Sequence, residues 1–237
     1  MARGSSQRLH ECLRNLIFEA KPGDRLPSEP ELARNFGVAR ATLREAMRTF
    51  ETQGLLYRRQ GSGTYVSHPS QVIDTGLEVL ESIETLADRI GLKVAMGELK
   101  VEVRPATEQE QEALGISSGT PVKNVSRVIC ADDNPAAFLI DILPEEMLSQ
   151  DDLNARFTGS VLDLILKKGT PSLASSRTEI NAVPASVEIA RALGIQRGDV
   201  LLKFTAYLYD TRGQVVDYSF SYFLPGYFKF HVIRRVG

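Results

Sequence analysis

"LPSEPELARNFGVARATLREAMRTFETQGLLYRRQGSGTYV", residues 26–66, joins two short helical patterns to a glycine-broken basic hairpin, and its reading decides the fold of the first part of the chain. Ser28 stands before Glu29 and Glu31 as an N-cap followed by first-turn acids, and Leu32, Ala33 and Phe36 form an inward face until Gly37 ends the turn. This pattern predicts a helix over 28–36. Beyond it, Leu43, Ala46, Met47 and Phe50 fall at i, i+3, i+4 and i+7, while Arg40, Arg44 and Arg48 stack at i, i+4 and i+8 on another face. One stripe packs inward and the other is free to touch something. Upstream, Leu9, Leu13, Leu16 and Ile17 make a single apolar stripe, stopped by "KPGD", which predicts a helix over 5–20. Downstream, "LLYRRQGSGTYVS" alternates about Gly61-Ser62-Gly63, a two-stranded hairpin whose tip needs positive φ or close backbone approach.

The chain as a whole is mildly acidic, with 28 Lys and Arg against 30 Asp and Glu. Residues 1–67 hold 11 of the basic residues and 7 of the acids, a net charge of +4, and the remainder carries −6. Ten of those 11 are arginine, which suits bidentate recognition of phosphates and guanine edges. A solvated basic face carries as much charge, so the helices must decide. Two helices joined by a glycine-containing turn, the second with a basic outer face, form a helix-turn-helix whose second helix enters the major groove of double-stranded DNA. The hairpin beside it reads as a wing, with Arg58, Arg59 and Gln60 near the tip.

The 237 residues, 43% of them apolar, are enough for two modest cores. No run approaches the roughly 20 apolar residues of a membrane span. The N-terminal stretch has neither the apolar core nor the cleavage site of a secretory signal, so the expected compartment is cytoplasmic. Cys12 and Cys130 are far apart without ligand spacing and are expected to be buried free thiols. His10, His68 and His231 stand near no nucleophile, and metal, P-loop and dinucleotide motifs are missing, so neither cofactor, metal nor catalysis is expected. Asp132-Asp133 and Asp151-Asp152 fall in polar turns as capping or solvated acids.

"SHPSQVIDTG", 67–76, reads as a linker between a DNA-binding domain over 1–66 and a second domain over 77–237. The second domain opens with a helix, "LEVLESIETLADRIG", carrying Leu77, Leu80 and Ile83 on one side and ended by Gly91. A weak duplication follows: segments beginning at Val101 and Glu179 each run strand, polar turn, short helix, "ALGI", a glycine and a β-rich strand. Each half then turns ("ADDNP", "DTRGQ") into another strand, giving an α+β domain around an antiparallel sheet, with a helix from Ser160 to Lys168 between the halves. The aromatics of "YSFSYFLPGYFKF", Phe223 among them, line a pocket between the halves or fill the core.

With these residues in view, the first part resembles the winged-helix regulators of the GntR superfamily: "LPSE", "ELARNFGVARATLREAMRTFETQGLL" and "GSGTYV" follow that family's pattern. The resemblance implies that Arg40, Thr42 and Arg44 meet phosphates and base edges. It also implies that the wing, Gln60, Gly61, Ser62, Gly63 and Thr64, meets the minor groove. Two positions depart from the pattern: Pro30 replaces a usual arginine and Ala39 a usual serine or threonine, which removes a basic contact and a hydroxyl. The second part is similar to the UTRA effector domain of the HutC branch, whose fold is chorismate-lyase-like, through "LGISSGTPVKNVSRV", "NPAAF", "SVLDLI", "LGIQRGDVLL" and "VVDYSFSYF".

Carried over by position, the resemblance implies an effector site containing Ser82, Arg127, Ser160 and Asp217, with Phe223 among the aromatics beside it. An arginine on a strand is costly to bury alone, so Arg127 takes either an internal ion pair or an anion. A second arginine common in the sugar-phosphate sensors is replaced by Ile129, and the acid of the next strand is replaced by Leu139 or displaced to Asp141. One remaining charge implies an effector with a single anionic group, such as a small carboxylic acid. The family mechanism implied is repression by a homodimer on a palindromic operator, relieved through differential effector affinity. Two rivals stay open at this level: an enzyme of the chorismate-lyase type with a DNA-binding appendage, and a DNA-binding dimer without an effector.

Overall fold

The computed structural model describes residues 2–21, 23–52, 55–59, 62–66, 73–131, 133–149, 151–153 and 157–232. Contacts divide the chain into two compact units, Met1–Val72 with Leu224–Lys229 and Ile73–Phe223 with Phe230–Gly237.

The first unit is built on three helices, α1 (Ala2–Glu19), α2 (Glu29–Asn35) and α3 (Arg40–Thr52), followed by the hairpin β1 (Leu56–Arg59) and β2 (Gly63–Val66). The apolar stripes meet as expected: Leu13, Leu43 and Met47 are fully buried, with Ile17, Leu32, Ala46 and Phe50 around them. Burying each large aliphatic chain of this kind contributes roughly 1.5–3 kcal/mol, which outweighs the modest propensities of such short helices. Ser28 precedes α2 but makes no side-chain cap bond, and Pro30 occupies the first turn, where a missing N–H costs nothing. The segment before α2 adds a third rung to the wing: Leu26 N–H donates to Thr64 O at 2.8 Å and Val66 N–H to Asp24 O at 2.9 Å.

Residues 67–72 of the expected linker lie outside the described residues, while in the second unit its last four residues and the expected first helix are revised. Ile73–Gly76 form a strand, β3, and Leu77 N–H donates to His231 O at 3.0 Å, so the 77–80 stretch is held extended or bent. Its helix, α4, begins only at Ile83 and runs to Ile90. Ser82 sets that start by accepting Thr85 N–H, and of Leu77, Leu80 and Ile83, expected on one helix face, the first two are exposed and only Ile83 is buried.

The remaining elements are β4 (Val94–Pro105), α5 (Glu108–Leu114), β5 (Pro121–Ala131), β6 (Asn134–Pro144), α6 (Val161–Lys168), β7 (Leu173–Pro184), α7 (Val187–Leu193), β8 (Val200–Asp210), β9 (Val215–Phe223) and the short β10 (Phe228–His231). Six of the strands form one antiparallel sheet in the order β4-β5-β6-β9-β8-β7. The duplication is therefore spatial: β4-β5-β6 and β7-β8-β9 are mirror-ordered halves joined at the β6·β9 pair.

Hydrogen bonds explain why "ALGI" recurs. Gly115 and Gly194 close α5 and α7 in the left-handed region (φ 65° and 66°), and the next residue, Ile116 or Ile195, donates back to Gln111 O or Ala190 O. Each turn then returns to its strand by equivalent bonds, Ala106 N–H to Thr120 O and Ala185 N–H to Asp199 O. Thr107 and Glu110 complete a capping box on α5, and Arg104 grips Glu110 with two 2.7 Å bonds. The helices α5 and α7 lie on one face of the sheet. On the other face α6 packs Val161 and Ile165 against Val125, Leu143, Leu208 and Val216.

Candidate functional site

In the first unit, α3 presents Arg40, Thr42 and Arg44 as exposed residues. Arg44 is not loose: its guanidinium donates to Glu29 Oε2 at 2.9 and 3.2 Å, and Arg58 on β1 donates to Glu29 Oε1 at 2.7 Å. Glu29, at the start of α2, thus spans the recognition helix and the wing. Partial burial raises the Glu29 pKa, but the Arg44 hydrogen bond and the charges of Arg58, Arg44 and Arg40 outweigh it and hold the carboxyl below its usual range. Glu29 drew attention in the sequence only as a first-turn acid, because its partners lie 15 and 29 residues away.

The wing is less uniform than its sequence. Gly63 has φ 131°, a conformation that strains any residue with a Cβ, and a Cβ there would lie 2.7 Å from Arg25 Nε, so a larger residue would also displace the Arg25 side chain. Ser62 is half-buried, its Oγ 2.6 Å from the Tyr65 hydroxyl. Thr64, expected at the DNA, is buried and turned into the unit. Gln60 and Gly61 lie outside the described residues.

In the second unit, the four residues carried over by resemblance, Ser82, Arg127, Ser160 and Asp217, come together beneath α4 and α6, all of them buried. Ser82 and Ser160 are N-caps of the two helices, and Asp163 ties them: its N–H donates to Ser160 Oγ at 2.9 Å and its carboxylate accepts from Ser82 Oγ at 2.6 Å. Arg127, on β5, donates through Nε to Gly159 O and through Nη1 to Asp141 and Val125 O. Asp217 on β9 shares the Arg127 and Asp141 face, because Asp141 pairs with Ser219 in register and side chains two apart point the same way.

Of the two alternatives left for Arg127, the internal pair is present, with Asp141. Leu139 stands opposite Arg127 in the ladder, and the acid of that strand is displaced by two residues to Asp141. Among the described residues Nη2 makes no hydrogen bond. Asp217 lies against Asp141 and near the Ile142 N–H. Burial pushes its carboxyl well up from the usual range, and the adjacent Asp141 charge pushes it further. Glu84, in the first turn of α4, is also raised, by burial first and then by Asp163 and Asp141, against the pull of its own backbone N–H and of Arg127. A Cβ at Gly159 would sit 2.9 Å from Glu84 Oε1, so this glycine leaves room for that carboxyl. Sequence gave no signal for Glu84, whose role arises only where α4 lies over the sheet.

Phe223 does not join this cluster. It is buried with Phe204 and Phe230, ring centroids 5.0 Å away from each, at the far end of β9. Cys12 is exposed and Cys130 half-buried, both free, so Cys12 is not the buried thiol expected. Asp152 is an anchored acid: the hydrogen bond from Lys168, opposed by burial and aided by Ser149, lowers it to about 2. Among the described residues no cluster of His, Cys, Asp and Glu has the arrangement of a metal site, and no helix is long and apolar enough to cross a membrane.

A winged helix-turn-helix with an arginine-bearing recognition face, followed by a duplicated α+β domain with a buried polar cluster, defines a DNA-binding transcriptional regulator with an effector domain. Residues 5–66 match the gntR family of bacterial regulatory proteins and residues 89–229 match the UTRA domain, so the chain belongs to the GntR family and carries a UTRA domain. It is similar to the HTH-type transcriptional repressor NagR of Bacillus subtilis (strain 168), with 32% identity over 193 residues, covering 80% of this chain and 78% of that one. It is also similar to the histidine utilization repressor of Pseudomonas putida, with 28% identity over 184 residues, covering 76% and 71%. The fold matches the crystal structure of PhnF from Mycobacterium smegmatis at a TM-score of 0.67 and 22% identity, over 97% of this chain and all of that one. The fold class read from the sequence, winged helix plus α+β antiparallel sheet, is the one found.

Proposed function

We propose that the protein is a cytoplasmic repressor that binds a palindromic operator as a homodimer and releases it when a small molecule occupies the Ser82, Arg127, Ser160 and Asp217 cluster. Arg40, Thr42 and Arg44 supply the base-edge and phosphate contacts, and the Gln60 to Gly63 wing tip contacts the minor groove. The observation that carries this reading is the Glu29 clamp. It fixes Arg44 and Arg58 side by side without burying them (side-chain exposure 55% and 42%), so little ordering remains when DNA arrives. Repression is supported by the relatives' names, and a two-fold arrangement by the way helix-turn-helix proteins read paired half-sites. An anionic group on the effector is met by the Nη2 edge of Arg127, whose Nε and Nη1 are already bonded.

Fluorescence anisotropy on DNA from upstream of the protein's own gene, over a salt series, tests the DNA part. Saturable binding that weakens steeply with salt supports it. Weak binding that is equal on all sequences, including a generic palindrome, defeats it.

A further inference from the structure

The buried cluster holds more acid than its arginine can match. Glu84, Asp141 and Asp217 share one guanidinium, and Asp163 stands beside Glu84. Asp141 is already committed to that guanidinium, and Asp163 to Ser82. The two acids left over each expose an unmet acceptor. Asp217 Oδ1 and Glu84 Oε1 are buried and have no hydrogen-bond partner, and Asp217 as a residue is only 5% exposed. An unsatisfied buried carboxyl oxygen is costly, and proteins keep such groups where something else completes them. In the ligand-free chain the cost is lowered by holding the protons, in line with the upward push on both groups.

Resting on the reading that this cluster is the effector site, we propose that the effector presents a cationic nitrogen, an amine or amidine, to Asp217 Oδ1 and Glu84 Oε1. A nitrogen cation supplies donors to both oxygens and offsets the surplus negative charge, which an acid or a phosphate alone increases. The Nη2 edge of Arg127 remains for an anionic group on the same molecule, so a zwitterion fills both ends. Binding of the cation ionises Glu84 and Asp217, and the protons they held leave to solvent. Binding is therefore accompanied by proton release and tightens as pH rises.

The test uses methyl NMR of the full-length protein, with the Ile129 Cδ1 methyl, beside Gly159, as reporter. The probes are methylammonium, guanidinium, acetate and phosphate at matched ionic strength. Saturable shifts with methylammonium or guanidinium, weakened at least tenfold in both Asp217→Asn and Glu84→Gln, support the assignment. The pair guards against one variant failing to fold, and circular dichroism confirms that both do. Shifts with acetate or phosphate but with neither cation overturn the cationic assignment and leave an effector site in place. If none of the four probes shifts the methyl saturably, the effector reading of this cluster falls as well.

Discussion

Asp141 and Asp217 compete for one guanidinium, and a double-mutant cycle measures that competition. The Arg127 and Asp141 side chains are 4% and 12% exposed, so the pair is desolvated. Stripping a buried arginine of its hydrogen-bonded carboxylate costs about 3–5 kcal/mol. Asp217, however, stands next to Asp141 with a raised pKa and keeps its proton largely because burial and the Asp141 charge disfavour ionisation. In Asp141→Asn the neighbouring charge disappears, Asp217 ionises, and Arg127 acquires a substitute partner of poorer geometry. The expected loss is about 1–2 kcal/mol. Asp217→Asn alone is neutral or stabilising at neutral pH, since it removes an acid that must stay protonated. The double variant keeps only Glu84, which makes no hydrogen bond to Arg127 among the described residues, and loses about 3–5 kcal/mol, about 6–20 °C in melting temperature for a domain of this size. Urea denaturation followed by circular dichroism and tyrosine fluorescence reads the second unit's transition, the chain having no tryptophan. The four values should show strong non-additivity. If Asp141→Asn by itself costs as much as the double variant, Asp217 is not in reach of Arg127 and the account of the cluster is wrong.

Arg44→Ala should weaken operator binding about 10–100-fold and flatten the slope of log K against log salt by about 0.9, with almost no change in melting, because the exposed bond to Glu29 adds little to stability. Equal loss on operator and random DNA would reduce its role to a phosphate contact. Gly63→Ala forces a side chain into a left-handed conformation and against Arg25, so the wing should lose about 1–3 kcal/mol and operator affinity with it. Ser62→Ala, which removes only the Tyr65 contact, is the milder comparison. For pH, the raised Asp217 and Glu84 give stability that is complete below their ordinary range and lost as pH rises through their folded values. The lowered Asp152 acts oppositely, contributing above its ordinary range and losing that contribution as pH falls to about 2. Unliganded protein should therefore lose second-unit stability as pH rises above the ordinary carboxylate range, and Asp217→Asn should flatten that decline. An unchanged profile in the variant would show that Asp217 is ionised throughout.

The sequence determined by itself whatever depends on near neighbours. Period and caps placed α2 within a residue of its observed limits and the apolar and basic stripes along α3, and the recurring "ALGI" marked the two halves of the second domain. The duplication followed from that repeat and reappears as the mirror order of the sheet. Local pattern misplaced α4, because Leu77 and Leu80 mimic a helical stripe while a hydrogen bond to His231, at the other end of the chain, holds that stretch elsewhere. Family resemblance drew Ser82, Arg127, Ser160 and Asp217 into one site but could not say what they touch. Only tertiary structure decided that Asp141 occupies Arg127, that Asp163 joins the two serines, that Thr64 and Phe223 turn inward, and that Glu84 and Asp217 are left unmet. Charge balance in a buried site is a sum over groups far apart in sequence, and no single segment carries enough of its terms to give the sign.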